Sequence, residues 1–88
     1  MKVVVSPQAE RHLRKLSKID QIILARKITG LSQNTHQPQT EKLKGYKDTF
    51  RVCVGDYRVV YRRFSDRIYI ILIGHRRDIY ELLNQLIN

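Results

Sequence analysis

Three arginines, Arg51, Arg58 and Arg76, stand on or at the ends of segments that read as successive strands, and His75 and Tyr80 flank the last of them. A guanidinium keeps its charge and offers two parallel N–H donors, which suits a phosphate group. Antiparallel strands about 5 Å apart can bring such side chains onto one face. Like charges set opposite one another destabilise a sheet, so an anionic ligand accounts for such a cluster as well as scatter over a solvated surface does. An imidazole with an ordinary pKa near 6.5 can trade protons at neutral pH, and His75 lies inside a cationic motif at a strand end. Tyr80 is within sequence reach of Arg76, where its ring can stack on a base, its hydroxyl can touch a phosphate, or both can pack at a helix edge. Lys42, Lys44 and Lys47 bracket Gly45 and either draw in phosphates or solvate a loop.

The other reactive residue types have less support. Cys53 is two residues from Arg51 on the same strand face, but no histidine and acid stand by to make it a nucleophile, so a small half-buried side chain is expected. His12 and His36 lack a comparable setting and read as surface residues, and three histidines this far apart make no metal site. The chain has no phosphate-cradling glycine loop, no GxSxG elbow and no paired-carboxylate spacing, so no cofactor is implied and carboxylate acid–base chemistry is unsupported.

With 88 residues the chain has room for one domain, 1–88. Its 17 Lys and Arg against 8 Asp and Glu give a net charge of +9, which makes an anionic partner the first hypothesis. Hydrophobic residues reach 42% and recur periodically, which excludes an intrinsically disordered chain. One cysteine excludes an internal disulfide and suits a reducing compartment. The apolar run of Val3, Val4 and Val5 is far short of a signal peptide, and no run approaches the roughly 18 residues of a membrane span. A cytoplasmic protein with no membrane partner is expected.

The elements that must position these side chains follow from the periodicity. Val3–Val5 reads as a short strand, and Ser6-Pro7 starts a helix with a hydroxyl cap and a proline whose missing N–H costs nothing there. Ala9, Leu13 and Leu16 fall on one face and leave Arg11, Arg14 and Lys15 in solvent. Ser17 through Asp20 caps a second helix with Leu24, Ile28 and Leu31 as its buried stripe, weakened near its end by Gly30. Residues 33–45, with His36 and Pro38, are expected to form a loop. Phe50, Val52 and Val54 then alternate with Thr49, Arg51 and Cys53, and Gly55-Asp56 turns the chain into a partner strand from Tyr57 to Arg62. Ile68–Ile73 is apolar on both faces, as in a covered central strand. Ile79, Leu82, Leu83, Leu86 and Ile87 mark a short last helix that must dock or fray. The expected class is α+β: an N-terminal strand, an antiparallel helix pair, a three-stranded antiparallel meander joining that strand in one sheet, and a short C-terminal helix.

Taken in order, Lys42-Leu43-Lys44-Gly45, Phe50-Arg51-Val52, Gly55-Asp56-Tyr57-Arg58-Val59-Val60-Tyr61 and Gly74-His75-Arg76-Arg77-Asp78-Ile79-Tyr80 resemble the successive blocks of the RelE/ParE toxin superfamily, RelE branch. The resemblance covers nearly the whole chain. It implies the toxin of a type II toxin–antitoxin system, an endoribonuclease that cleaves mRNA in the ribosomal A site, inhibits translation and is silenced by a RelB-like antitoxin. DNA is then met only indirectly, through the antitoxin. Residue by residue, the resemblance implies catalytic roles for Arg51, Arg58, Arg76 and Tyr80, with His75 nearest for proton transfer. Lys42, Lys44, Lys47 and Arg77 are the implied RNA-binding cations. Cys53 stands where many relatives carry a second basic residue, and Tyr80 follows Arg76 more closely than in the best-known members. RNA brings its own nucleophile, the 2′-OH, so alignment and charge stabilisation can suffice without metal. Two alternatives stay open: a ParE-like toxin that inhibits DNA gyrase by binding, and an RNA-binding module without catalysis.

Overall fold

The computed structural model describes residues 1–33 and 40–87. Strand β1 (Lys2–Val5) leads into helices α1 (Pro7–Arg14) and α2 (Lys18–Gln33), then strands β2 (Thr40–Lys42), β3 (Thr49–Val54), β4 (Tyr57–Arg63) and β5 (Arg67–His75), and helix α3 (Ile79–Ile87). The five strands form one sheet in the order β1-β5-β4-β3-β2. β1 runs parallel to β5 and every other pair is antiparallel.

Local chemistry sets the helix starts. Ser6 Oγ accepts the Ala9 N–H at 3.1 Å ahead of Pro7, and Ser17 Oγ accepts the Asp20 N–H at 3.2 Å. These caps satisfy donors that the first turn leaves unpaired. The stripes of α1 and α2 then bury Ala9, Leu24, Ile28 and Leu31 against Val52, Val59, Tyr61, Ile68, Ile70 and Ile73. On the other face, Val60 and Leu72 meet Ile79 and Leu83 of α3 in a smaller core. Burial on both faces explains the unbroken apolar run of β5.

Four sequence expectations need correction. The stretch expected as a loop contains β2, whose Glu41 pairs with Arg51 and whose short polar edge closes off β3; His36 and Pro38 lie outside the described residues. The weakening expected of Gly30 is offset, because Leu31 beyond it is fully buried and the helix runs on as far as Gln33. Leu86 is exposed, so α3 docks through Ile79, Leu82 and Leu83 alone among its described apolar side chains.

The fourth concerns His12, which is not a free surface residue. β1 leaves β5 at the Val5–Ile70 pair, and α1 takes over that edge. Ser6 Oγ donates to the Ile71 carbonyl at 2.7 Å, and His12 Nδ1 lies 2.7 Å from the Ile73 carbonyl. A carbonyl oxygen only accepts, so the proton in that contact is on Nδ1. Two side chains of a helix thus stand in for the strand that has ended.

Candidate active site

The β3–β4 hairpin turns at Gly55, whose φ of 59° is the left-handed conformation that glycine adopts without steric cost. Strand alternation then puts Arg51, Cys53, Arg58 and Val60 on the side of the sheet that faces α3, with Cys53 opposite Arg58 and Arg58 opposite Gly74. A Cβ on Gly74 would meet Leu82 Cδ1 at 3.1 Å and Ile79 Cδ1 at 3.3 Å. The bare backbone there lets α3 lie close to β5.

The start of α3 delivers Tyr80 to Arg51. Arg51 Nη1 donates to Tyr80 Oη at 2.6 Å, and Nη2 donates to a Glu41 carboxylate oxygen at 2.8 Å. The Arg51 side chain is only 19% exposed. Burial works against its charge, but Tyr80 first, then Cys53 and Glu41, outweigh that effect and hold the guanidinium above its ordinary range. Its Nε is buried without a partner.

Arg58 and Arg76 gather around the hairpin turn. Arg58 Nη1 donates to the carbonyls of Gly55 and Tyr57, both at 2.9 Å. The Arg76 N–H donates to the Asp56 carbonyl at 2.8 Å, and Arg76 Nε stands 3.8 Å from the exposed Asp56 carboxylate. Both guanidiniums therefore use only part of their donor capacity.

His75 does not join this group. As the pairing partner of Tyr57 it points toward the helix pair, with the two rings edge to face at 5.9 Å. Its Nδ1 accepts the Arg77 N–H at 3.1 Å, and it borders a cavity of about 290 Å³ with His12, Lys15 and Leu16 of the α1 region. The physical reason is the period of two along a strand: Gly74 takes the α3 side, so His75 takes the other. Arg77 is an exposed turn residue. Lys42 is on the edge strand, and Lys44 and Lys47 are exposed around Gly45 on a cleft of about 560 Å³.

Glu41 is the site residue that sequence reasoning missed, and with it a carboxylate does stand beside the arginines. Nothing in the linear pattern marks it; only a strand at 40–42 in register with β3 brings it to Arg51. Among the described residues no cluster of three metal-ligating side chains occurs, and no helix is long and apolar enough to cross a membrane.

A mixed five-stranded sheet with a helical hairpin on one face, a short terminal helix on the other and guanidiniums at one end of a hairpin is the RelE-like toxin fold. The chain belongs to the family of ParE toxins of type II toxin–antitoxin systems, whose model matches residues 3–80. Among solved structures, isolated RelE from E. coli matches with a TM-score of 0.73 at 20% identity, covering 99% of this chain and 98% of that one. The RelB–RelE antitoxin–toxin complex from Methanococcus jannaschii matches at 0.73 and 20%, covering 89% of this chain and 95% of that one. The toxin–antitoxin complex RelBE2 from Mycobacterium tuberculosis matches at 0.73 and 24%, covering 85% and 96%. At these identities the likeness is one of fold. No curated protein matches the sequence.

Proposed function

We propose that this toxin is an endoribonuclease that cleaves mRNA on the ribosome, using the substrate's 2′-OH as nucleophile. The observation that carries this reading is the 2.6 Å hydrogen bond from Arg51 to Tyr80, on the sheet face that also holds Arg58. In-line attack of a 2′-oxygen on the adjacent phosphorus builds negative charge on the phosphoryl oxygens and on the departing 5′-oxygen. In this reading Arg58 and Arg76, with donors to spare, neutralise the first. Tyr80 accepts from Arg51, which leaves its own hydrogen for the leaving oxygen or a phosphate, and Arg51 stabilises the phenolate that such a transfer leaves behind. Glu41 holds Arg51 from the other side. The proton of the attacking 2′-OH passes to solvent water, from which the Tyr80 phenolate regains its own, and the products are a 2′,3′-cyclic phosphate and a 5′-hydroxyl. His75, turned toward the helix pair, has a structural part in this scheme.

Purified protein added to ribosomes programmed with a defined mRNA tests the reading: cleaved transcript with those termini is expected. Intact mRNA in the presence of active protein overturns it. A second reading, gyrase inhibition by binding, is favoured by the match to the ParE family over residues 3–80. A supercoiling assay run beside the ribosome assay separates the two. The solved relatives in complex with RelB antitoxins support a RelB-like partner here, and the charge of +9 suits an acidic chain that folds as it binds. Co-expression with a RelB-like antitoxin should yield a stable complex and relieve toxicity.

A further inference from the structure

Away from the hairpin turn, where β4 ends and β5 begins, three more cations share the sheet face that carries Arg58. The Arg62 and Arg67 guanidinium carbons lie 4.9 Å and 4.8 Å from the centre of the Phe64 ring, whereas Arg63 sits over Phe50 on the opposite, helix-pair face. Lys2 stands beside Arg67 in the β1–β5 register. Among the described residues, the carboxylate within ion-pairing distance of these cations is Asp66, 3.7 Å from Arg67 and largely exposed. The Arg62 Nε is buried without a partner. Aromatic rings offset part of this repulsion, since each ring face attracts a guanidinium while the N–H groups at its rim stay free. Folding alone gains little from holding three cations around one carboxylate.

We infer that this cluster is a docking site for the phosphate backbone of RNA outside the linkage that is cleaved. Guanidinium rims and a lysine spread over β1, β4 and β5 suit several phosphates of a polymer better than a single anion. Arg62 lies on the same face of β4 as Arg58, four residues on, which is about 13 Å of strand and spans roughly two to four nucleotides. Val60 and the small core beneath α3 lie between them, so the cluster is a separate contact and not an extension of the cleavage site. The inference rests on the endoribonuclease reading for the identity of the polymer.

The test is fluorescence anisotropy of the full chain with a labelled, 2′-deoxy-substituted RNA oligonucleotide that cannot be cleaved, from about 50 to about 200 mM salt. The double variant Arg62→Gln, Arg67→Gln should weaken binding at least about tenfold and flatten the salt dependence by about two phosphate contacts. The charge-keeping variant Arg62→Lys, Arg67→Lys should retain most of the salt dependence, and circular dichroism checks that both are folded. Unchanged affinity and slope in the folded glutamine variant overturn the inference. So does a loss confined to binding of polyglutamate, which would mark the cluster as a surface for an acidic protein. Absence of mRNA cleavage by the wild-type chain counts against the catalytic reading alone, because the anisotropy readout needs no chemistry.

Discussion

Arg51 on β3 and Tyr80 on α3, 29 residues apart, meet in a hydrogen bond of 2.6 Å that crosses from the sheet to the last helix. Tyr80 is 48% exposed, so its hydroxyl contributes more to the site than to the core. Tyr80→Phe should therefore lower the rate of mRNA cleavage by roughly 10²-fold, the usual cost of one donor to developing charge. Its thermal stability should change by less than about 1 kcal/mol. Single-turnover cleavage and a melting curve on the same preparation check both halves.

Glu41 is the carboxylate that fixes the far side of Arg51, at 2.8 Å. Glu41→Gln keeps the shape and removes the charge, so the guanidinium is held less firmly. A loss of activity of about tenfold or less is expected, with little effect on folding, because Glu41 itself is mostly exposed. A loss as large as that of Tyr80→Phe would show that Glu41 acts on the substrate directly.

His12→Ala removes the donor to the Ile73 carbonyl. An acceptor on a covered sheet edge then goes unpaired, which costs about 1–3 kcal/mol. Urea denaturation measures the loss, and amide exchange should quicken locally in the second half of β5.

Gly74→Ala brings a methyl group to within 3.1 Å of Leu82 and 3.3 Å of the buried Ile79. Those side chains must move, at a cost of about 1–3 kcal/mol. Because the same helix carries Tyr80, activity should fall alongside stability; a stable, fully active variant would mean that α3 is free to shift.

Tyr61, 2% exposed, has its hydroxyl pushed above the ordinary value of 10.0 by burial, against the pull of Arg63. In the unfolded chain it ionises first. The native state therefore loses stability as pH rises from about 10 through the higher folded value, and is unaffected by this group below that window. Denaturation midpoints in buffers above about pH 10 should fall less steeply in Tyr61→Phe than in the wild type, and an equal slope would refute the assignment.

Much of this was legible in the residue pattern. The caps at Ser6 and Ser17, the stripes of both helices, the Gly55 turn and the alternation that puts Arg51, Cys53 and Arg58 together all follow from local chemistry with period 3.6 or 2. What escaped depends on distant partners. β2 is too short and polar to announce itself and exists because β3 offers it an edge. His12 looked unoccupied because its partner carbonyl is 61 residues away. His75 kept its place in the motif, yet one step along β5 turned it to the other side of the sheet.

The parallel pairing of β1 with β5 has a consequence for biosynthesis. Lys2 waits for Arg67 and Val5 for Ile70, so the second strand of this pair leaves the ribosome some 65 positions after the first. Contacts of such long range close late and slowly. A nascent chain halted before β5 lacks the strand that joins β1 to β4 and the helix that carries Tyr80, so the contact between Arg51 and Tyr80 forms only once those later segments have emerged and closed.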